Sequence, residues 1–318
     1  MAEGMTGRLA NIQQIYVRQC RFLERRYPAL AELRLPVTGE NASAVFDIYC
    51  WQVKRLDPVA AGQDRVRFYR DTLSKTADPA LRRAMLEDLV DLQIARGMPH
   101  KTLPLLEPGD PLRACIAACN DEASRNYGFD LRTFDMTGVD RGSALRFYFS
   151  ENTEILKGKR VLHIAPEAKC RPWMLEAARQ VGFSYATADG FAENVDHYVD
   201  LCALPFTEGQ FDVIIVHRVL EHVIDDAGAL KEMARVLPQG GVLNISVPEQ
   251  MYMAETADWR VPDPDVHHHF RIYGRDFPDM LAAAGFEPGR CDWLLQQSAT
   301  RLKLFGAYPL LFYNAVKR

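Results

Sequence analysis

Residues 161–169, Val-Leu-His-Ile-Ala-Pro-Glu-Ala-Lys, set a histidine, a proline and a carboxylate directly after a short apolar run. A strand, a turn and a helix start in this order commonly cradle nucleotide phosphates, which need free amide donors and close backbone approach. Pro166 has no amide hydrogen, and Glu167 puts negative charge where a pyrophosphate would lie. The turn His163, Ala165, Pro166, Glu167 therefore suits a cationic ligand without phosphate. Other polar residues close apolar runs downstream. Asp189, followed by Gly190, is placed to accept hydrogen bonds from both hydroxyls of a ribose. Asp200 can accept from an exocyclic amine while Leu201 covers a base, and His217 with Arg218 closes Val-Ile-Ile-Val. These positions describe an adenosine ligand. S-adenosylmethionine, with an ammonium, a sulfonium and no phosphate, fits them better than a nicotinamide or flavin dinucleotide.

Methyl transfer from a sulfonium is an in-line displacement that depends on alignment, and a hydroxyl acceptor gains from a base. His217, His269 and Tyr273 are the candidate catalytic groups, with a pocket wall as the alternative role for His217. The segment Asp265-Val-His-His-His-Phe-Arg-Ile-Tyr-Gly274 concentrates polar groups. His267, His268 and Arg271, with His222 upstream, are candidate acceptor contacts. Neighbouring residues of an extended segment point alternately, so at most two of three consecutive histidines converge without distant help, and no metal is expected.

Positioning these groups takes alternating strands and helices. Strand Arg160-Val-Leu-His-Ile-Ala, helix Met174–Gly182, strand Ser184–Asp189, a hairpin-like Leu204–Gln210, strand Phe211–His217, helix Asp226–Leu237 and strand Val242–Pro248 follow in order. This alternation predicts an α/β, doubly wound, Rossmann-like parallel sheet over 141–318, with ligands at the carboxyl ends of the strands. Residues 1–140 read as a helical N-terminal domain for substrate recognition, lid formation or oligomerisation. Apolar spacing predicts a helix over 8–27, and Asp78-Pro79 and Asp110-Pro111 mark two more helix starts.

The stretch 200–248 resembles class I S-adenosylmethionine-dependent methyltransferases of the broad type 11 kind. It carries Asp200 with Leu204-Pro205-Phe206, Phe211-Asp212, Leu220-Glu221-His222, and Arg235-Val236-Leu237 with Gly240-Gly241. The first motif departs: His163-Ile-Ala-Pro-Glu-Ala-Lys169 stands where the family usually has Asp-Leu-Gly-Cys-Gly-x-Gly. A branch with His-Ile-Ala-Pro-Glu and a later His-x-Arg-x-Tyr-Gly is more similar, the latter matched by His269 to Gly274. The resemblance implies cofactor contacts by the 163–167 turn, Asp189, Asp200, Leu201, His217 and Arg218.

Composition sets the outer bounds. A formal net charge of −4 gives no global attraction to nucleic acid or membrane, and no apolar run reaches the roughly 20 residues of a membrane span. Arg8, Arg18, Arg21, Arg25 and Arg26, interspersed with glutamates, read as a solvated face. The seven cysteines are scattered, Cys115 and Cys119 included, and read as buried thiols in a reducing cytoplasm. The expected function is methyl transfer to oxygen, nitrogen or sulfur of a small molecule. A peptide, protein or carrier-bound acceptor is one alternative, a silent adenosine-binding module another; the chain is a monomer or a homodimer.

Overall fold

In the N-terminal half, helices form where apolar positions recur every three or four residues and a polar side chain can cap the start. The computed structural model describes residues 2–318, with side chains from Gly7 onward. The helices are α1 (Ala2–Arg26), α2 (Ala42–Leu56), α3 (Gly62–Leu73), α4 (Pro79–Ala95), α5 (Leu112–Tyr127) and α6 (Arg141–Glu151). Asp78 caps α4 by accepting from the amides of Ala80 and Leu81, with Pro79 in the first turn. Asp110 likewise accepts from the Leu112 amide at 2.9 Å, and Asp140 opens α6 by accepting from Ser143.

From residue 160 the period changes to that of strands. The elements are β1 (Arg160–Ile164), α7 (Arg171–Ala177), β2 (Ser184–Asp189), β3 (His197–Tyr198), β4 (Val213–His217), α8 (Asp226–Val236) and β5 (Val242–Ser246). A hairpin of β6 (Ala257–Asp263) and β7 (His269–Ile272) follows, then α9 (Phe277–Ala283), β8 (Phe286–Glu287), β9 (Arg290–Cys291), α10 (Ala299–Phe305) and β10 (Phe312–Lys317). The main sheet runs β3-β2-β1-β4-β5-β10-β8, with β9 also on β10. Its first five strands are parallel, while β10 enters antiparallel between β5 and β8. Leu204–Gln210 is a turn leading into β4, not a hairpin.

Alternation along the strands divides the core into two layers. Leu162 and Ile164 of β1 join Ile214 and Val216 on the α8–α9 face, whereas Val161, Val213 and Ile215 pack toward α6, α7 and α10. The order reverses between β1 and β4, which opens a crevice beyond their carboxyl ends. The helical half is not packed apart from the sheet half. Cys20, Leu23, Phe46 and Tyr49 share a buried cluster with Ile224, Val261 and Phe270, so α1 and α2 rest on the β6–β7 hairpin.

The basic N-terminal face is correspondingly less solvated than its composition suggests. Arg8 binds the Phe191 carbonyl and Glu193, Arg18 binds Asp200, and Arg26 binds Asp258. All seven cysteines are unbridged; Cys115 is exposed and Cys119 half-buried, because their face of α5 looks outward. No helix among the described residues is long and apolar enough to cross a membrane.

Candidate cofactor and acceptor site

A cavity of about 550 Å³ lies over the carboxyl ends of β1, β2 and β4. Its floor is Ile164 and Ala165 from β1, Asp189 and Gly190 from β2, and Asp200, Leu201, Arg218 and His222 from the connecting turns. Its roof is α1, which contributes Gln14, Ile15, Arg18 and Phe22 among others. Asn11 ties that roof down, donating to the carbonyls of Gly190 and Val199 at 3.2 and 3.3 Å. Ala165 and Arg218, at the ends of neighbouring strands, both adopt left-handed backbone (φ 49° and 57°). Such non-glycine positions cost roughly 1–3 kcal/mol each and cluster where a backbone must turn beside a ligand.

The acidic residues differ in how far they are engaged. Asp189 Oδ1 accepts from the amides of Phe191 and Ala192 at 2.7 and 2.8 Å, which orients the carboxylate at the cavity edge. Asp200 Oδ1 accepts from Cys202, and its Oδ2 accepts from Arg18 Nε at 2.6 Å. The Asp200 carboxylate at the cavity edge therefore already holds α1. No signal in the sequence links Arg18 or Asn11 to residues 179 to 188 positions away.

The departing first motif has a physical rationale. The His163 ring is fully buried, with Nδ1 2.8 Å from the Tyr185 hydroxyl and Nε2 3.1 Å from Glu167 Oε2. A neutral ring fits both contacts, Tyr185 donating to Nδ1 and Nε2–H donating to the carboxylate. Burial pushes Glu167 up, but the His163 hydrogen bond and the nearby rings outweigh it and hold the carboxyl below its ordinary value. The motif thus places its carboxylate beside the position where the family's usual pattern begins with aspartate. Gly142 of α6 backs the turn, since a Cβ there would stand 2.9 Å from the Glu167 Cβ. His163, Pro166 and Glu167 lie behind Ala165 and do not line the cavity.

Two further cavities, of about 430 and 410 Å³, flank the crevice on the α5 side. The first is walled by Lys101, Tyr127, Glu249, His267 and His269, and the second by Tyr127, Arg141, Glu249 and Tyr308. Arg218 borders all three cavities. Burial pushes the Glu249 carboxyl up to about 7, against the Tyr313 hydroxyl that donates to it. Arg141 is an evident cavity residue that sequence reasoning missed, because a lone arginine in a helix's first turn looks like any surface cation.

Several expected site residues face elsewhere. His217 points into the α6 face, its ring nitrogens 2.8 Å from Ser246 Oγ and 2.6 Å from Asn244 Oδ1. Burial draws its pKa down to about 4, and it lines none of the three cavities. Arg271 is buried and committed to the β4–α8 connection, donating to the carbonyls of Val223 and Ile224 and pairing with Asp226 at 3.3 Å. Tyr273 is fully buried and donates to Asp226. Both clamp the fold instead of reaching an acceptor. His267 and His268 are exposed turn residues with positive φ, of which His267 borders the second cavity. His269 is buried there, with its ring against that of His222.

Residues 153–288 match the family model described as a methyltransferase domain. Those residues are a methyltransferase domain of the S-adenosylmethionine-dependent kind. A probable S-adenosylmethionine-dependent methyltransferase of Mycolicibacterium smegmatis is 30% identical over 88 residues, 28% of this chain and 33% of the relative. The ubiquinone/menaquinone biosynthesis C-methyltransferase of Xanthomonas axonopodis pv. citri is 28% identical over 169 residues, 48% of this chain and 64% of the relative. The chain spans about a third of the length of the first curated relatives it matches. Among solved structures, a methyltransferase of Mesorhizobium loti is 15% identical with a TM-score of 0.38, covering 51% of this chain and 92% of that one. In this methyltransferase domain the left-handed Ala165 falls in the turn that the family usually builds with glycine.

Proposed function

We propose that the whole chain is an S-adenosylmethionine-dependent methyltransferase acting on an oxygen, nitrogen or sulfur atom of a small molecule. The observation that carries this reading is the roofed cavity at the switch point, bordered by Asp189, Asp200, Leu201 and Ala165. Its volume and its acidic edges suit an adenosine that bears positive charge instead of phosphate. When bound, S-adenosylmethionine supplies an electrophilic methyl group on a sulfonium.

The chain's own residues then have distinct tasks. Asp189 accepts from the ribose, Asp200 from the base, and Leu201 covers the base edge. Glu167, fixed by His163, sets negative charge behind the turn for the ammonium. The α1 roof excludes water, which strengthens each of these contacts. The acceptor enters from the α5 side, where His269 and Arg218 separate its cavities from the cofactor's, and the helical half supplies one wall of that entrance. Burial draws the His269 ring down to about 3, so it is neutral at physiological pH and can accept a hydrogen bond without taking up charge.

Calorimetry with S-adenosylmethionine tests the first step, and the expected result is one site per chain. Absence of binding by the folded protein would overturn the proposal. A screen of small-molecule acceptors with methyl-labelled cofactor then tests transfer, and labelling confined to peptides or proteins would refute the small-molecule part.

A further inference from the structure

At the joint between the cofactor cavity and the α5-side cavity, three side chains converge from two distant segments. Glu221 and His222 come from the turn after β4, and His269 comes from β7. One ligand atom from each lies within 4.8 Å of the other two. Two of these side chains are buried polar groups with an atom that has no hydrogen-bond partner. Glu221 is 1% exposed with Oε2 unpartnered, and His269 is 7% exposed with Nδ1 unpartnered. His222 closes the group from the open side, its ring perpendicular to that of His269 at 4.6 Å.

Leaving a buried carboxylate oxygen and a buried imidazole nitrogen unpaired carries the desolvation cost of each, larger where charge is involved. Both costs vanish if the same bound ion takes both atoms. We propose that Glu221, His222 and His269 form a binding site for one divalent transition-metal ion of the zinc class. Two imidazoles and a carboxylate are borderline-soft donors that such ions prefer, whereas magnesium and calcium favour all-oxygen sets. Three protein ligands leave a coordination position open, the arrangement of reactive rather than structural sites. An ion held there would have a position free for an oxygen or nitrogen of the acceptor; that use of the ion rests on the methyltransferase reading. Only one of the three consecutive histidines takes part, because His267 and His268 turn outward on left-handed backbone.

The main opposing charge is Arg218, whose Nε lies 3.5 Å from Glu221 Oε1. That contact engages the other carboxylate oxygen, so Oε2 remains available for the ion. It also neutralises part of the ligand charge and makes the affinity modest.

The test uses the untagged full chain, stripped with chelator and titrated with Co²⁺ under visible spectroscopy, with Zn²⁺ competition and metal analysis after dialysis. One equivalent with ligand-field bands displaced by Zn²⁺ is expected. His269→Ala and the exposed-site variant His222→Ala should each weaken binding by more than the roughly 10–100-fold typical of an outer-shell partner. His222→Ala keeps the test decisive if the buried variant does not fold. No Co²⁺ or Zn²⁺ binding, or equal binding by wild type and both variants, overturns the site. S-adenosylmethionine calorimetry on the same samples separates the two readings: cofactor binding without metal binding refutes the ion alone. Metal binding without cofactor binding supports the ion site and refutes the proposed function.

Discussion

Replacing Glu167 by glutamine removes one charge from the first turn and leaves its shape almost intact. Glu167 Oε2 sits 3.1 Å from His163 Nε2, and the side chain is 16% exposed. The glutamine oxygen can accept from the same Nε2–H, so His163 and Tyr185 keep their arrangement and the cost to the fold is small. A direct charged hydrogen bond to the cofactor's ammonium would be worth about 1.5–3 kcal/mol; Glu167 lies behind Ala165 and acts across the turn, so the loss should stay below that, at no more than roughly 10-fold in Kd. Because the carboxyl is held below its ordinary value, it is ionised throughout the neutral range and the loss should not vary between about pH 6 and pH 8. The assay is calorimetry of wild type and Glu167→Gln with two ligands, S-adenosylmethionine and 5′-methylthioadenosine, which lacks the amino-acid arm. The variant should lose affinity for the first and bind the second as wild type does. Equal losses for both ligands would make Glu167 a support of the turn, and no loss for either would remove the carboxylate from cofactor binding altogether.

Asp200→Ala should weaken S-adenosylmethionine by about 1–3 kcal/mol if its carboxylate accepts from the adenine, and an unchanged calorimetric Kd would relocate the base. His217→Ala leaves Asn244 Oδ1 and Ser246 Oγ without their histidine partner, while Asn244 still donates to Asn314, so thermal unfolding should show a loss of about 1–3 kcal/mol. The same variant should keep the wild-type pH–rate profile, and loss of an inflection between about pH 5 and 8 would restore His217 as a base. Glu249 has a folded pKa raised to about 7, so the folded state binds the extra proton and stability falls as pH rises from about 4.5 to about 7. Glu249→Gln should flatten that part of the melting-temperature profile, and parallel profiles for both proteins would refute the assignment. Asn11→Ala should raise hydrogen exchange around residues 190–200 and leave β4 and β5 unchanged; uniform protection would mean that α1 is not what holds those loops.

The sheet was legible because its signals are local. Val213 to Val216 is apolar on every residue, as a strand covered on both faces must be, and Gly240-Gly241 marks the turn into β5. Asp189 and Asp200 follow their strands at the expected places for the same reason. The orientation of a side chain at a strand end was not legible. His217 ends β4 just where a ligand would lie, yet the period of two sends its ring to the α6 face, where Asn244 and Ser246 of β5 wait beside it. Arg271 and Tyr273 read as anchors because a sequence shows their chemistry but not that Val223, Ile224 and Asp226 already use it. The roof was invisible for a different reason. Arg18 and Asn11 are ordinary polar positions of an amphipathic helix, and only the tertiary fold brings them against Asp200 and Gly190.

That roof changes what the helical half is for. If α1 merely covered apolar surface, its contacts would be confined to the cluster it shares with Val261 and Phe270. Instead its N-terminal portion bonds to the loops after β2 and β3, its middle pairs with Asp200, and only its C-terminal portion enters the shared core. Those loops are the parts of the sheet half that border the cavity, so their positions depend on α1 being docked. The second wall follows the same logic: α5 supplies Tyr127 to both flanking cavities, and the sheet half holds Tyr127 through the Pro309 carbonyl, the Leu311 amide, the Arg290 guanidinium on its carbonyl, and packing on Met251, Leu295 and Leu311. The cavity under α1 and the two on the α5 side are therefore each completed by a different helix of the first 140 residues. Among the described residues, Arg218, on left-handed backbone between them, is the one that lines both the α1 cavity and the α5-side cavities.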